Sequence, residues 1–503
     1  MTHRPFAPEG TAARLPGDAA GCPPAARPFV LAATIVGSSM AFIDGTVVNI
    51  ALPAIQRGLG AGIAELQWVV NGYLLPLGAL MLVGGGLGDR LGRRRVFVAG
   101  VVLFTLASLA CALAPTIGIL IAARVVQGIG AALLVPQSLA LIAANFPKDI
   151  RGAAIGTWAA ASAITTSLGP PLGGLLIDTL SWRVAFWINL PLAAVALWLT
   201  LRHVPESRDE TVRGGLDWPG AILATLGFGA ITYGLIGLGG EGDARLVAGA
   251  ALVLGLVLLV VFILVERRVA NPIMPPTLFA SPVFSAANVV TVLLYAALSG
   301  ALFLLPFDLV VRRGLTAAEA GLTILPFGVI IGVMSRFMGS LADRHGPRPF
   351  MTLGPVLFAL GAGWLALALP GYWAGVMVPA LLLAVGMGVV VSPLTTAVMN
   401  AVPTERSGAA SGINNAASRL AGVVAVAVIG LVAGLVYRAA APAGATVFGE
   451  LPPAGDQLRT AAEAAFVSGY GAAMGLTAAM ALAAAIVAWL TIPVKKKTEG
   501  SAG

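Results

Sequence analysis

Two short stretches, GGLGDRLGRRR (Gly85–Arg95) and GSLADRHGPR (Gly339–Arg348), share the pattern G-x-L-x-D-R-x-G-x-R. Their first glycines, Gly85 and Gly339, stand 254 positions apart. Each is a charged, glycine-bearing turn that closes a long apolar run. Outward from them the chain shows fourteen such runs, at roughly 28–55, 67–87, 95–114, 117–145, 152–177, 184–201, 216–238, 246–265, 284–305, 318–341, 351–369, 374–399, 409–436 and 466–492. About 20 apolar residues make a helix long enough to cross hydrocarbon, so each run predicts a membrane helix. Strands are excluded: the runs are about twice the length of a barrel strand and lack its alternation. The turn follows the second run and recurs after the tenth, which is the trace of a duplicated bundle. The expected fold is therefore all-α and polytopic. A tail covers 1–27, a first six-helix bundle 28–201, and a linker with two inserted helices 202–283. A second six-helix bundle covers 284–492 and a basic tail 493–503.

Composition agrees. Of 503 residues 58% are hydrophobic and 10% charged, with a mean hydropathy of +0.93. A soluble chain carries about 25% charged residues. So few charges cannot wet the surface of a soluble body this large. A disordered chain, a nucleic-acid binder and nearly every soluble enzyme are excluded. The pI near 10 reflects basic loops, because Lys and Arg gather on the cytoplasmic side of membrane proteins. With both termini inside, twenty of the thirty Lys and Arg fall in inside segments and seven outside; Arg124, Arg336 and Arg419 lie within spans. An odd number of spans would break that bias partway along. No cleavable leader is evident, and residues 1–27, rich in Pro, Ala and Gly, look disordered. Cys22 and Cys111 lie in unlike surroundings and make neither a disulfide framework nor a metal cluster. No His/Cys set suits a metal, and no G-x-x-x-x-G-K-[ST] loop supplies ATP chemistry.

Further motifs lie inside the runs. The first carries DGTVVNIALP (Asp44–Pro53), the fourth RVVQGIGAA (Arg124–Ala132) and the fifth GPPLGG (Gly169–Gly174). SWRVAFWINLP (Ser181–Pro191) and LDWPG (Leu216–Gly220) follow. In this order, with the repeated turn, the set resembles the major facilitator superfamily over about residues 28–492, and within it the fourteen-helix drug:proton antiporters. Val184 and Trp187 depart from the pattern. The resemblance implies two six-helix bundles rocking about a midplane cavity, with the extra helix pair to one side.

An ionisable residue inside a span costs about 2.5–3.5 kcal/mol or more at the helix centre, so those present need a reason. Asp44 lies nine residues before Pro53, about 13 Å deep at 1.5 Å per residue, and Arg124 about 10 Å deep on the same scale. If helices one and four face one cavity, as in the family, the two groups pair or compete. Asp44 is then the proton carrier, and Arg124, which stays charged, switches its proton affinity. A purely structural ion pair is the alternative. Gln127 lies one turn beyond Arg124 on the same face. Gln127, Asn49 and Asn71 are in-span amides that either bind substrate or join helices. Tyr73, Trp158 and Tyr295, with Trp68 and Phe303, are aromatic candidates for an apolar substrate pocket, in competition with lipid contact and interface anchoring. Such a pocket suits lipophilic drugs, cations among them, although no deep acid in the second half favours dications. Arg419 either binds an anionic substrate group or caps a neighbouring helix.

In GPPLGG, Pro170 and Pro171 remove backbone donors and kink the helix. Gly169, Gly173 and Gly174 allow close backbone approach, making a seal or simple packing. In the basic turn, Gly85 and Gly92 permit the reversal, and Asp89 caps a helix start or pairs with Arg151. Arg90, Arg93 and Arg94 anchor the loop at anionic headgroups. Latch and anchor are both open. Asp343 and Arg344 repeat the device more weakly, since Pro347 replaces a basic residue.

The expected protein is thus a bacterial inner-membrane efflux transporter, not an enzyme. It exports lipophilic drugs against entering protons, driven by the proton gradient without a cofactor. Its partners are a small-molecule substrate, protons and the lipid bilayer, with no nucleic acid, and it acts as a monomer. A facilitator or proton-coupled importer of a small metabolite is the alternative. A channel or receptor fits the duplicated turn less well.

Overall fold

A computed structural model describes residues 22–208, 217–240, 242–269, 272–403, 407–444, 447–452 and 457–494. The 1–27 and 493–503 tails fall mostly outside these residues, as do the side chains of Arg336 and Asp343. The described residues form fourteen helices long and apolar enough to cross a membrane. They are α1 (Arg27–Leu59), α2 (Ile63–Leu91), α3 (Arg93–Leu113), α4 (Ile117–Asn145), α5 (Lys148–Thr179), α6 (Val184–His203), α7 (Trp218–Gly237), α8 (Asp243–Glu266), α9 (Pro282–Pro306), α10 (Ala317–His345), α11 (Arg348–Ala366), α12 (Val378–Asn400), α13 (Ser407–Ala440) and α14 (Arg459–Thr491).

Local chemistry sets the ends. Asp217 caps α7, accepting from the Gly220 amide at 2.8 Å, and Thr116 and Ser281 do the same for α4 and α9. Thr316 and Glu319 form a reciprocal capping box on α10. Gly60 ends α1 in the left-handed conformation at φ 63°. Gly92, at φ 107°, reverses the chain between α2 and α3, and Gly346 repeats this at φ 85° between α10 and α11. Only glycine enters that region without strain.

The six helices α1–α6 pack as one group and α9–α14 as another. The inserted pair α7–α8 packs on itself, and α7 also meets α2 and α13. Glycine sets the spacing: a Cβ on Gly130 of α4 would lie 2.6 Å from the Phe104 amide nitrogen of α3. Between the groups, α2 faces α13 and α5 faces α10.

The two groups meet unequally along their length. One end carries Arg90, Arg93, Arg94, Arg95, Arg202 and Arg344 and is called the basic end; the far end carries Asp178 and Glu319. A single apolar cluster runs through the second group and takes in first-group residues from the far end, including Ile55, Leu66, Trp182 and Phe186. At the basic end the first group has its own cluster, with Met40, Phe97, Leu134 and Leu199. Hydrogen bonds follow the same division. Asp178 of α5 accepts from the Ala317 and Ala318 amides at 3.0 and 2.7 Å. Gln67 of α2 donates to the Val426 and Ala427 carbonyls of α13 at 2.7 and 2.9 Å. Toward the basic end, Gly152 and Gly156 of α5 and Gly332 of α10 face open space. Along α5 and α10 the molecule is joined at the far end and parted at the basic end, while between α2 and α13 contact runs on to Leu82 and Gly412.

Replacing Gly130 by Leu pushes α3 from α4, and overpacking of this kind costs about 1–3 kcal/mol. Gly130→Leu is expected to melt at a lower temperature in detergent, while Gly249→Leu, whose Cβ meets nothing within 4 Å, melts with the parent. Equal melting of the two variants would refute the close-approach role.

Candidate functional site

Asp44 on α1 and Arg124 on α4 are 0% and 1% exposed, and Arg124 Nη1 donates to Asp44 Oδ2. The carboxylate has further donors. Gln127 Nε2 reaches Oδ1 at 2.8 Å, and Asn189 Nδ2 approaches the same oxygen at 3.4 Å. Asn189 also donates to Ser108 Oγ at 2.9 Å, and Ser108 to the Phe186 carbonyl at 2.9 Å. The guanidinium is held as fully: Nη1 donates to Gln127 Oε1 at 2.7 Å and Nε to the Val69 carbonyl at 3.0 Å. The Tyr73 ring lies 4.3 Å from its central carbon. Each side chain comes from a different turn of a tightly packed group, so the charges sit inside a polar shell within an apolar bundle. That shell is what makes a buried pair tolerable.

Other candidates have different surroundings. Tyr73 spends its hydroxyl on the Ala41 carbonyl at 3.0 Å. Trp158 donates to Ser38 Oγ at 2.8 Å and meets Phe42 edge-on, so it ties α5 to α1. Asn49 bonds to the Gly45 carbonyl one turn back, at 3.3 Å. Asn71 is fully buried with neither amide atom hydrogen-bonded. Tyr295 of α9 stands apart from the Asp44 shell and beside Arg419 of α13.

The GPPLGG segment serves two interfaces. A Cβ on Gly173 would meet Val47 Cγ1 at 2.5 Å, and one on Gly169 would meet Thr46, both on α1. A Cβ on Gly174 would collide with the Ala317 carbonyl across the seam, and Gly321 of α10 lies as tightly on Pro170 and Pro171. The helix continues through both prolines.

The basic turn corrects one expectation. Asp89 pairs with Arg93, at 2.7 Å, not with Arg151, whose Nε donates to the Phe146 carbonyl at 3.1 Å. Arg93 is four residues away across the tight reversal, within reach without displacing a helix. Nor does Asp89 cap α3. Glu206 does so, accepting from the Arg94 and Arg95 amides at 3.0 and 3.2 Å. Gly85 is loosely packed, whereas Gly84 and Gly88 are the tight contacts on α4, against Ala132 and Gln137. Arg90 has interactions of its own, and Arg344 is exposed.

Comparison with known proteins agrees with the fold. The Major Facilitator Superfamily family model matches residues 34–426. The chain belongs to the major facilitator superfamily. This facilitator is 39% identical over 405 residues to the multidrug resistance protein Stp of Mycobacterium tuberculosis, covering 80% of this chain and 75% of that protein. It is 34% identical over 507 residues to the puromycin resistance protein pur8 of Streptomyces alboniger, covering 97% and 96%. Its fold matches an inward-facing, occupied bacterial homologue of the human lysosomal transporter Spinster with a TM-score of 0.67, at 18% identity over 92% of this chain and 96% of that one. As a facilitator it is a polytopic membrane transporter of a small molecule, not an enzyme.

Sequence reasoning missed Asn189, Glu206 and Asp178. Asn189 lies in WINLP, a motif noted for its resemblance but not for its amide; an in-span Asn was the available signal. Glu206 and Asp178 sit at helix ends, where acids are common, and only contact identifies their partners.

Removing one partner of a buried ion pair costs about 3–5 kcal/mol because the other charge is stranded. Arg124→Met is expected to lower the melting temperature of the detergent-purified facilitator steeply, and Asp44→Asn in the same chain to restore most of it. No recovery in the double variant would deny the pair its stabilising role.

Proposed function

We propose that this facilitator exports lipophilic drug-like molecules in exchange for protons, with Asp44 as the proton carrier and Arg124 as its charged partner. The observation that carries the reading is the buried Asp44–Arg124 pair with Gln127 and Asn189 around it. An aspartate in hydrocarbon is retained only for function or compensated structure, and here both partners reach the carboxylate through side chains that rotate. Protonating Asp44 removes the negative charge that holds Arg124 Nη1. The guanidinium, which stays charged, then relies on Gln127, the Val69 carbonyl and the Tyr73 ring. That change in balance within the first bundle is the kind of local event that biases a two-state scaffold.

The closure fits the loading step of an export cycle, and export as the direction is supported by the relatives named for resistance. With the basic end in the cytoplasm, the parted seam admits cargo from the inside while the far end is sealed at Asp178, Gln67 and Gly174. Cargo enters, the scaffold rocks, and the far-end contacts break so that cargo leaves and a proton reaches Asp44. The proton gradient alone drives the cycle, with no bound cofactor. Drug export as the cargo class is supported by the relatives named for multidrug and puromycin resistance.

In inverted vesicles carrying the full chain, an imposed inward-acid pH difference is expected to drive dye uptake. Asp44→Asn should lower the gradient-driven rate by about tenfold or more, as for loss of a group on which the coupled step depends, while dye still binds. Uptake by Asp44→Asn that follows the imposed gradient as in the parent would refute the carrier role.

A further inference from the structure

Arg419 lies on α13, at the seam between the bundles, and the exchange reading gives it no task. Its Cβ is 3.2 Å from where a Cβ on Gly78 of α2 would stand, so it rests on the first bundle through a glycine gap. The side chain is half-buried. Several other arginines of the membrane helices are provided for. Arg124 has Asp44, Gln127 and a carbonyl. Arg312 and Arg313 share Asp308. Among the described residues Arg419 has no ion-pair or hydrogen-bond partner, and two phenols, Tyr73 of α2 and Tyr295 of α9, act on it electrostatically. One side of it is apolar: Leu420, Leu75, Ala79 and Val423 form a small cluster joining α13 to α2. On the other, α9 and α13 are joined by Thr291 Oγ1 donating to Asn414 Oδ1 at 2.7 Å, one turn before Tyr295.

An uncompensated guanidinium at this depth is expensive, and intramembrane charges of this kind mark substrate paths. Arg presents a planar fork of donors that matches a carboxylate bidentately. Aromatic rings and an apolar wall beside it suit the rest of a lipophilic molecule. We propose that Arg419 is the cargo's anion site: it binds the carboxylate of a lipophilic organic acid, with the Tyr295 ring beside the hydrocarbon part. This deepens the export reading and rests on it. It also reverses the preference for cations that an apolar, aromatic pocket alone suggests, because among the described residues Arg419 is an unpaired positive charge at the seam.

The test uses the purified full chain in detergent and three probes on one ring system: 1-naphthaleneacetate, its uncharged amide, and 1-naphthylmethylammonium. Binding is measured by calorimetry. The parent is expected to bind the acid at least about tenfold more tightly than the amide, as for a charge-assisted pair in a low-dielectric site, with the ammonium weakest. Arg419→Gln should erase the acid's advantage and leave amide binding within about twofold. Arg419→Lys, a point charge without the fork, should keep part of it and covers the case in which Arg419→Gln does not fold. Equal binding of acid and amide to the parent, tighter binding of the ammonium, binding of none of the three, or an undiminished acid preference in Arg419→Gln would overturn the proposal. These measurements need no gradient, so loss of proton-driven export in the Asp44 experiment and loss of acid recognition here are separate outcomes.

Discussion

Burying charge in a bilayer is the constraint around which this molecule is organised. Hydrocarbon offers no hydrogen bonds, so each ionised group must bring its own shell. Asp44 and Arg124 do so with Gln127, Asn189, the Val69 carbonyl and the Tyr73 ring. The shell draws on α1, α2, α4 and α6, and it is possible only because glycines such as Gly130 let the neighbouring helices approach closely. Charge burial, helix spacing and site geometry are thus one problem with one solution. A wider bundle would leave the pair wet.

The same constraint explains why the two bundles are joined asymmetrically. At the far end, polar side chains are paired across the seam with backbone groups: Asp178 with the start of α10, Gln67 with α13, Gln56 with the Phe448 carbonyl. Backbone groups at a helix start are unsatisfied by the helix itself, so capping across the seam closes the far end with a carboxylate placed at helix ends and not mid-span. These contacts are few and local. They hold one arrangement without fusing the bundles, which suits a scaffold that must alternate between two.

The inserted pair α7–α8 shows a different economy. Much of α8 is exposed to the surroundings, with Leu246, Val253, Leu256 and Val260 among its exposed side chains. An apolar helix in lipid needs no burial against protein, so the pair is held mainly by its own packing and by α7 on α2 and α13. Nothing in the site depends on it directly.

The amino-acid pattern alone determined the helix count, the all-α class, the duplication and the membrane setting, because these follow from the length and spacing of apolar runs and from what hydrocarbon excludes. It also placed Asp44 and Arg124 at similar depth, since depth is a matter of rise per residue along a single helix. Rotation about the helix axis and the distance between helices are not written in a run of apolar residues. So only the tertiary structure decided that Asn189 completes the Asp44 shell, that Asp89 turns to Arg93 while Glu206 caps α3, and that Trp158 ties α5 to α1. It alone left Arg419 without a partner among the described residues at the seam. Contacts between residues a hundred or more positions apart depend on how the helices pack, and that packing is a property of all the interfaces at once.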